Sequence, residues 1–296
     1  MNRWLALTER NIRLYLRDTA QVFFSFLSAG ILVMLYFMFI ANHYVDGVKA
    51  ETANLLSESA LYFLVYSQMM AGVIVLNSVS LATGALLPTS MDFVSKRYQS
   101  FQLTPLASKG LVSSYLSSAF LISLLLNSLV WLTSLVMIGS LTGYWLSFDA
   151  IVQSIGVLLV SDFVSCGTIF LMTVLVKSVN ALGVFNGVAG TFLGFLCGIY
   201  IPYSTLGAST ELVGSVLPWA HLVVWGKQIV LGDAYMQLGI SPAAQKIFDH
   251  ELFSSENLGL LGNDLPLWMM LLLAVLFALI CLIVATFILS KRVRAR

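Results

Sequence analysis

The feature that most constrains this chain is where its charges are missing. No Lys, Arg, Asp or Glu occurs between Asp18 and Asp46, nor at 59–91, 110–148, 178–210 or 265–290. The run 150–176 is interrupted only by Asp162. A helix needs about 20 apolar residues to cross about 30 Å of hydrocarbon. The expected fold is an all-α integral membrane domain covering 1–296, with six transmembrane helices at 20–41, 60–87, 111–138, 151–176, 181–201 and 266–290. The second and third runs exceed one crossing, which implies tilt or projection into water. Composition agrees: 59% of residues are hydrophobic and 10% are charged, whereas a soluble domain carries about 25% charged residues. A water-soluble fold would lack the charge to cover its surface.

The charges that remain set an orientation. With the N-terminus in the cytoplasm, twelve of fifteen basic residues fall inside, and only Lys49, Lys227 and Lys246 fall outside. Ten of fourteen acids collect outside. An even number of spans then leaves both termini cytoplasmic, in a multi-pass protein of the cell membrane. The first span has too long an apolar core for a cleaved leader and no A-x-A site after it, so it is expected to stay as an anchor.

Several chemistries have no residues to support them. Cys166, Cys197 and Cys281 all fall inside expected spans and offer neither a disulfide framework nor metal-ligand spacing. There is no G-x-x-x-x-G-K-[ST] loop for nucleotide phosphates, no H-E-x-x-H and no G-x-S-x-G. No metal site, catalytic group or cofactor is expected in this chain. The basic residues are explained by topology, which leaves no nucleic-acid patch.

Four segments stand out between or within the spans. Residues 1–19 place Arg10, Arg13 and Arg17 three and four apart, opposite Trp4, Leu7, Leu14 and Tyr15, as in an interfacial helix. Ordinary positive-inside flanking explains the same charges. Residues 91–105 follow Pro88, where the second span is expected to end, and put Val94, Tyr98 and Phe101 on one stripe. That segment reads either as a lipid-touching loop or as a protein-binding knob with exposed aromatics. Gly183, Gly187, Gly190, Gly194 and Gly198 recur at 4, 3, 4 and 4, a stripe suited to close helix packing within this chain or with another. Residues 203–230 are too apolar for a free loop and lie beyond Pro202, with Pro218 within, which suggests two half-helices dipping into the membrane. Trp219, His221 and Trp225 would lie near the interface, and 231–265 would form an acidic outer loop. Asp162, at mid-membrane depth, has two readings: substrate or proton handling at a cavity, or a structural hydrogen bond.

The order of these elements resembles the membrane subunits of type-2 exporters in the ABC transporter superfamily. The resemblance covers nearly the whole chain. It is carried by "KRYQSFQLTPLASKGLVSSYL" at 96–116 and by "GIYIP" followed by "LPWAHLVVWGKQIVLGD" at 217–233. It implies that 91–105 is a coupling helix docking a cytosolic ATPase, with Asp92, Phe93, Arg97, Tyr98 and Phe101 as contacts. Many members carry a Glu at the start of that segment, where this chain offers Asp92. It implies re-entrant turns at Pro202 and Pro218, and a second permease, identical or sister, packed at or near the Gly183–Gly198 stripe. ATP and Mg would sit on the partner ATPase. The implied activity is alternating-access export of an amphipathic antibiotic, peptide or toxin-like compound. A lipid-linked glycan is the alternative cargo, and an ion-coupled carrier or channel using Asp162 is the alternative mechanism. An intramembrane lipid enzyme would need a catalytic cluster, which the sequence lacks.

Overall fold

A computed structural model describes residues 3–36, 40–51, 56–98, 100, 108–176, 178–261, 263 and 265–294. These residues are built almost wholly of helix. In chain order they form α1 (Arg3–Arg17), α2 (Thr19–Leu35), α3 (Ala41–Glu51), α4 (Glu58–Val94) and α5 (Ser108–Thr142). Then come α6 (Phe148–Leu175), α7 (Val179–Leu196), α8 (Tyr203–Leu206), α9 (Ala208–Ser215), α10 (Pro218–Leu238), α11 (Pro242–Ile247) and α12 (Leu267–Arg294). A π-turn, Phe248–Phe253, follows α11.

Among the described residues five helices are long and apolar enough to cross a membrane: α4, α5, α6, α7 and α12. The expected first span, 20–41, overlaps α2, which has 17 residues and is about 26 Å long. Residues 37–39 lie outside the described set. Serine side chains start three of the long helices. Ser57, Ser147 and Ser178 accept hydrogen bonds from the third residue onward, Ala60, Ala150 and Ala181.

α4 is the axis of the bundle. Its 37 residues span about 55 Å, far more than one hydrocarbon thickness. It packs against α5, α6, α7 and α10 on its flanks and against α2 and α3 as well. Small residues set the closest approaches. A Cβ on Gly72 would lie 2.6 Å from Ile199 Cγ2, and one on Gly226 of α10 would lie 3.0 Å from Ala71 Cβ. α12 lies against α6, where Gly167 faces Ala278. The outer sides of α7 and α12 present Val184, Phe192, Ile280 and Ile283 to the surroundings, as lipid-facing helices do.

The sequence places the end of the second span near Pro88, but α4 continues through Pro88 to Val94. Proline removes one backbone N–H and frees the carbonyl four residues earlier. That carbonyl belongs to Gly84, and Gln21 Nε2 of α2 donates to it. A side chain from a neighbouring helix thus replaces the missing bond, which is how apolar surroundings tolerate an internal proline.

The described residues of 231–265, expected as a loop, include further helix. α10 runs on to Leu238 and ends at Gly239, whose φ of 64° suits a left-handed cap. α11 and the π-turn follow, and Phe248 and Phe253 are buried.

Candidate functional site

Three polar layers lie along the bundle: one at the Asp92 end of α4, one halfway along it, and one at the far end.

At the Asp92 end, α1, α4 and α5 converge. Asp92 lies in the last turn of α4 and is buried. Arg10 of α1 grips it with both terminal nitrogens, Nη1 to Oδ2 at 2.8 Å and Nη2 to Oδ1 at 3.2 Å. Tyr115 Oη of α5 donates to the same Oδ2 at 3.0 Å. The fork-shaped guanidinium makes this a geometrically specific pair. The hydrogen bond to Asp92 raises the pKa of Arg10, outweighing the opposing effect of its partial burial. Both carboxylate oxygens of Asp92 are thus engaged within the chain, by Arg10 and Tyr115.

Beyond Asp92 the helix stops abruptly. Ser95 Oγ folds back onto Met91 O at 2.6 Å, and Lys96 takes a left-handed φ of 59°. A non-glycine residue holds that conformation at a cost of about 1 kcal/mol or more. Phe93 is half-buried, with its ring edge-on to both Tyr98 and Tyr115 at 5.7 Å. Arg97 is exposed and Tyr98 half-buried. Phe101 lies outside the described residues, as do Gln99 and 102–105 of the expected 91–105 helix. Met91 and Val94, each about half exposed, add apolar surface beside Arg97.

The middle layer is built around Asp162 of α6, which is fully buried. Ser123 Oγ of α5 donates to its Oδ1 at 2.7 Å, and Asn127 Nδ2 donates to the same oxygen at 3.2 Å. Asn127 Nδ2 also donates to Ile74 O of α4 at 3.1 Å, and its Oδ1 accepts from Asn77 Nδ2 at 3.2 Å. One turn further along α6, Ser165 meets Ser78 of α4 at 2.7 Å and accepts from Trp219 Nε1 of α10 at 2.9 Å. Four helices are thus tied together at one depth. Of the three residues expected near the membrane interface, Trp219 and His221 are buried and Trp225 is half-buried. His221 Nε2 lies 2.8 Å from Ser215 O.

At the far end the chain turns back after α7. Gly198, with φ of 60°, permits the turn. Tyr203 Oη donates to Leu196 O at 2.6 Å, and its backbone N–H donates to Ser254 Oγ at 2.8 Å. Lys227 of α10 is fully buried and donates to the carbonyls of Gly198 and Phe253, the first at 2.7 Å. It stitches the turn after α7 to the π-turn. Pro202 precedes α8, and Pro218 opens α10, whose Trp219 starts at the middle layer. Further along α10, Asp233 accepts from the Ser147 backbone N–H at the start of α6. α10 therefore runs from mid-bundle to one end.

The glycine stripe does not act as one surface. Gly194 and Gly198 are covered by Tyr200 and Tyr203 of this chain, whereas no atom lies within 4 Å of a Cβ built on Gly183, Gly187 or Gly190.

Sequence reading missed the partners of Asp92 and Asp162 and the burial of Lys227. The one signal available was the presence of Asn77, Ser123 and Asn127 inside charge-free runs, where polar side chains need a reason. Among the described residues no group of three metal-ligating side chains occurs. No protein-family model matches this sequence, and a comparison with curated proteins finds no match either.

Proposed function

We propose that this chain is the permease subunit of an ATP-driven exporter, with ATP and Mg bound on a separate cytosolic chain. The observation that carries the reading is the bolt at the Asp92 end. Arg10 and Tyr115 fix the last turn of α4 to α1 and α5, and the chain then breaks into an exposed turn carrying Arg97 beside Met91, Val94 and Tyr98. Force applied to that turn reaches three helices at once. In this reading α2 completes a sixth span, both termini are cytoplasmic, and 203–230 is a re-entrant element that turns at the middle layer. A second permease covers the open Gly183, Gly187 and Gly190 face of α7. The partner ATPase closes on ATP and pulls on the 91–105 segment, shifting the cavity between two states that differ in cargo affinity. The cargo is an amphipathic compound taken from the cytoplasm or inner leaflet of the cell membrane.

Purification of the tagged chain in mild detergent, followed by mass spectrometry, tests this. The proposal expects a stoichiometric soluble partner with a nucleotide-binding P-loop, lost on Arg97→Glu while the chain still inserts. Recovery of the chain alone, with ATP analogues and cross-linker present, overturns it.

A further inference from the structure

The middle layer contains a carboxylate that the proposed export cycle does not use. Asp162 Oδ1 accepts two hydrogen bonds, from Ser123 and Asn127. Its other oxygen, Oδ2, is shut off from solvent and has no hydrogen-bond partner, and the same is true of Asn77 Oδ1 on the far side of Asn127. Both unsatisfied atoms are acceptors, so the cluster is short of a hydrogen rather than of an oxygen.

No cation supplies that hydrogen. Among the described residues the ion pairs are Arg10–Asp92, Arg13–Glu9 and His250–Glu256, and none involves Asp162. From α4 the cluster is faced by Asn77 and Ser78, and from α5 by Ser123 and Asn127. On α6 itself the neighbours are Ser165 and the Cys166 thiol. α10 contributes Trp219 through Ser165, and its His221 is turned to Ser215 O. α12 contributes Ala278 at Gly167 and the Cys281 thiol at Thr168. Among the described side chains of these helices, Asp149 is engaged with Gln153, Lys227 with two carbonyls, Asp233 with Ser147, and Lys291 over the Phe287 ring. Glu58 stands in the exposed first turn of α4. An unpaired carboxylate in such surroundings is costly, and a proton neutralises it without needing any space.

We propose that Asp162 is a proton-binding site, with the proton on Oδ2, whose occupancy is linked to the packing of α4 against α5 and α6. Uptake breaks one O–H bond of a hydronium ion, leaving water, and forms one O–H bond at an Oδ2 lone pair; nothing is oxidised or reduced. Opening the contact hydrates Oδ2 and lets the proton leave. Within the window set by the packed and hydrated states, the packed-to-open ratio falls up to tenfold per unit rise in pH, as linkage of one proton requires. This goes beyond the exporter reading and holds for any cargo or energy source.

Infrared spectroscopy of the full chain in lipid nanodiscs at pH 7 tests the proposal. The expected result is a C=O stretch of a buried carboxylic acid, shifted in D₂O, absent in Asp162→Asn and displaced in frequency in Asn127→Leu. Asp162→Asn keeps an oxygen that Ser123 and Asn127 donate to, and thermal melting confirms that it folds. If Asp162→Asn is poorly folded, the Asn127→Leu displacement decides. A band unaffected by both variants overturns the proposal. So do carboxylate bands at Asp162 that respond to Na⁺ instead of pH, which would make the ligand a metal ion.

Discussion

Asp92→Ala removes the acceptor shared by α1, α4 and α5. The Arg10 guanidinium loses two hydrogen bonds, and the Tyr115 hydroxyl loses its partner. Breaking a buried ion pair by deleting one partner costs about 3–5 kcal/mol, because the other charge is left without compensation. Here the arginine side chain is 30% exposed and the aspartate only 3%, so the orphaned cation recovers part of its hydration. The expected loss is therefore at the lower end, about 3 kcal/mol. The Arg10→Ala variant leaves the buried carboxylate behind and should cost at least as much. A double-mutant cycle separates the pair from its surroundings, and a coupling of about 1.5–3 kcal/mol is expected for residues in direct contact. Reversible unfolding in mixed micelles, followed by tryptophan fluorescence, supplies the four free energies. A coupling below about 0.5 kcal/mol would refute the claim that this pair bolts the three helices together.

Other substitutions probe the remaining layers. Lys227→Met removes two buried hydrogen bonds to carbonyls, worth about 0.5–1.5 kcal/mol each, and should expose 199–258 to proteolysis, read by limited digestion. Gly72→Ala drives a methyl to 2.6 Å from Ile199 and should lower the melting temperature, with Ile199→Ala restoring part of the loss. A Cβ on Gly187 has no atom of the described residues within 4 Å, so Gly187→Ala should leave the melting temperature unchanged while reducing dimer recovery after cross-linking. Gln21→Leu strands the Gly84 carbonyl beside Pro88 and should cost about 1–3 kcal/mol in the same unfolding assay.

The long helices were legible because lipid imposes a simple rule: runs without charge become spans. That rule marks α4, α5, α6, α7 and α12, and it also marks α2, where only Thr19–Leu35 is seen as a regular helix. Helix ends were less legible. Pro88 reads locally as a terminator, and only the reach of Gln21 from another helix shows why it is not one. The same limit hides the site. Arg10 reads as an interface-flanking charge until the fold brings it to Asp92, 82 residues away. Lys227 reads as an outer-side charge until the turn after α7 and the π-turn offer it carbonyls. The five glycines share a period of helical turns, but periodicity cannot show that Tyr200 and Tyr203 fold back over two of them. Asp162 was legible as an anomaly, whereas its partners on α5 required the structure.

A photo-reactive amino acid placed at Arg97 tests the central claim most directly. The experiment uses the full chain in membranes of its own host, with and without a non-hydrolysable ATP analogue. The account predicts one cross-linked soluble protein, identified by mass spectrometry as a nucleotide-binding ATPase, with a yield that changes when the analogue is present and an absent product when the probe sits at lipid-facing Ile283. Cross-links to lipid alone at both positions would contradict it.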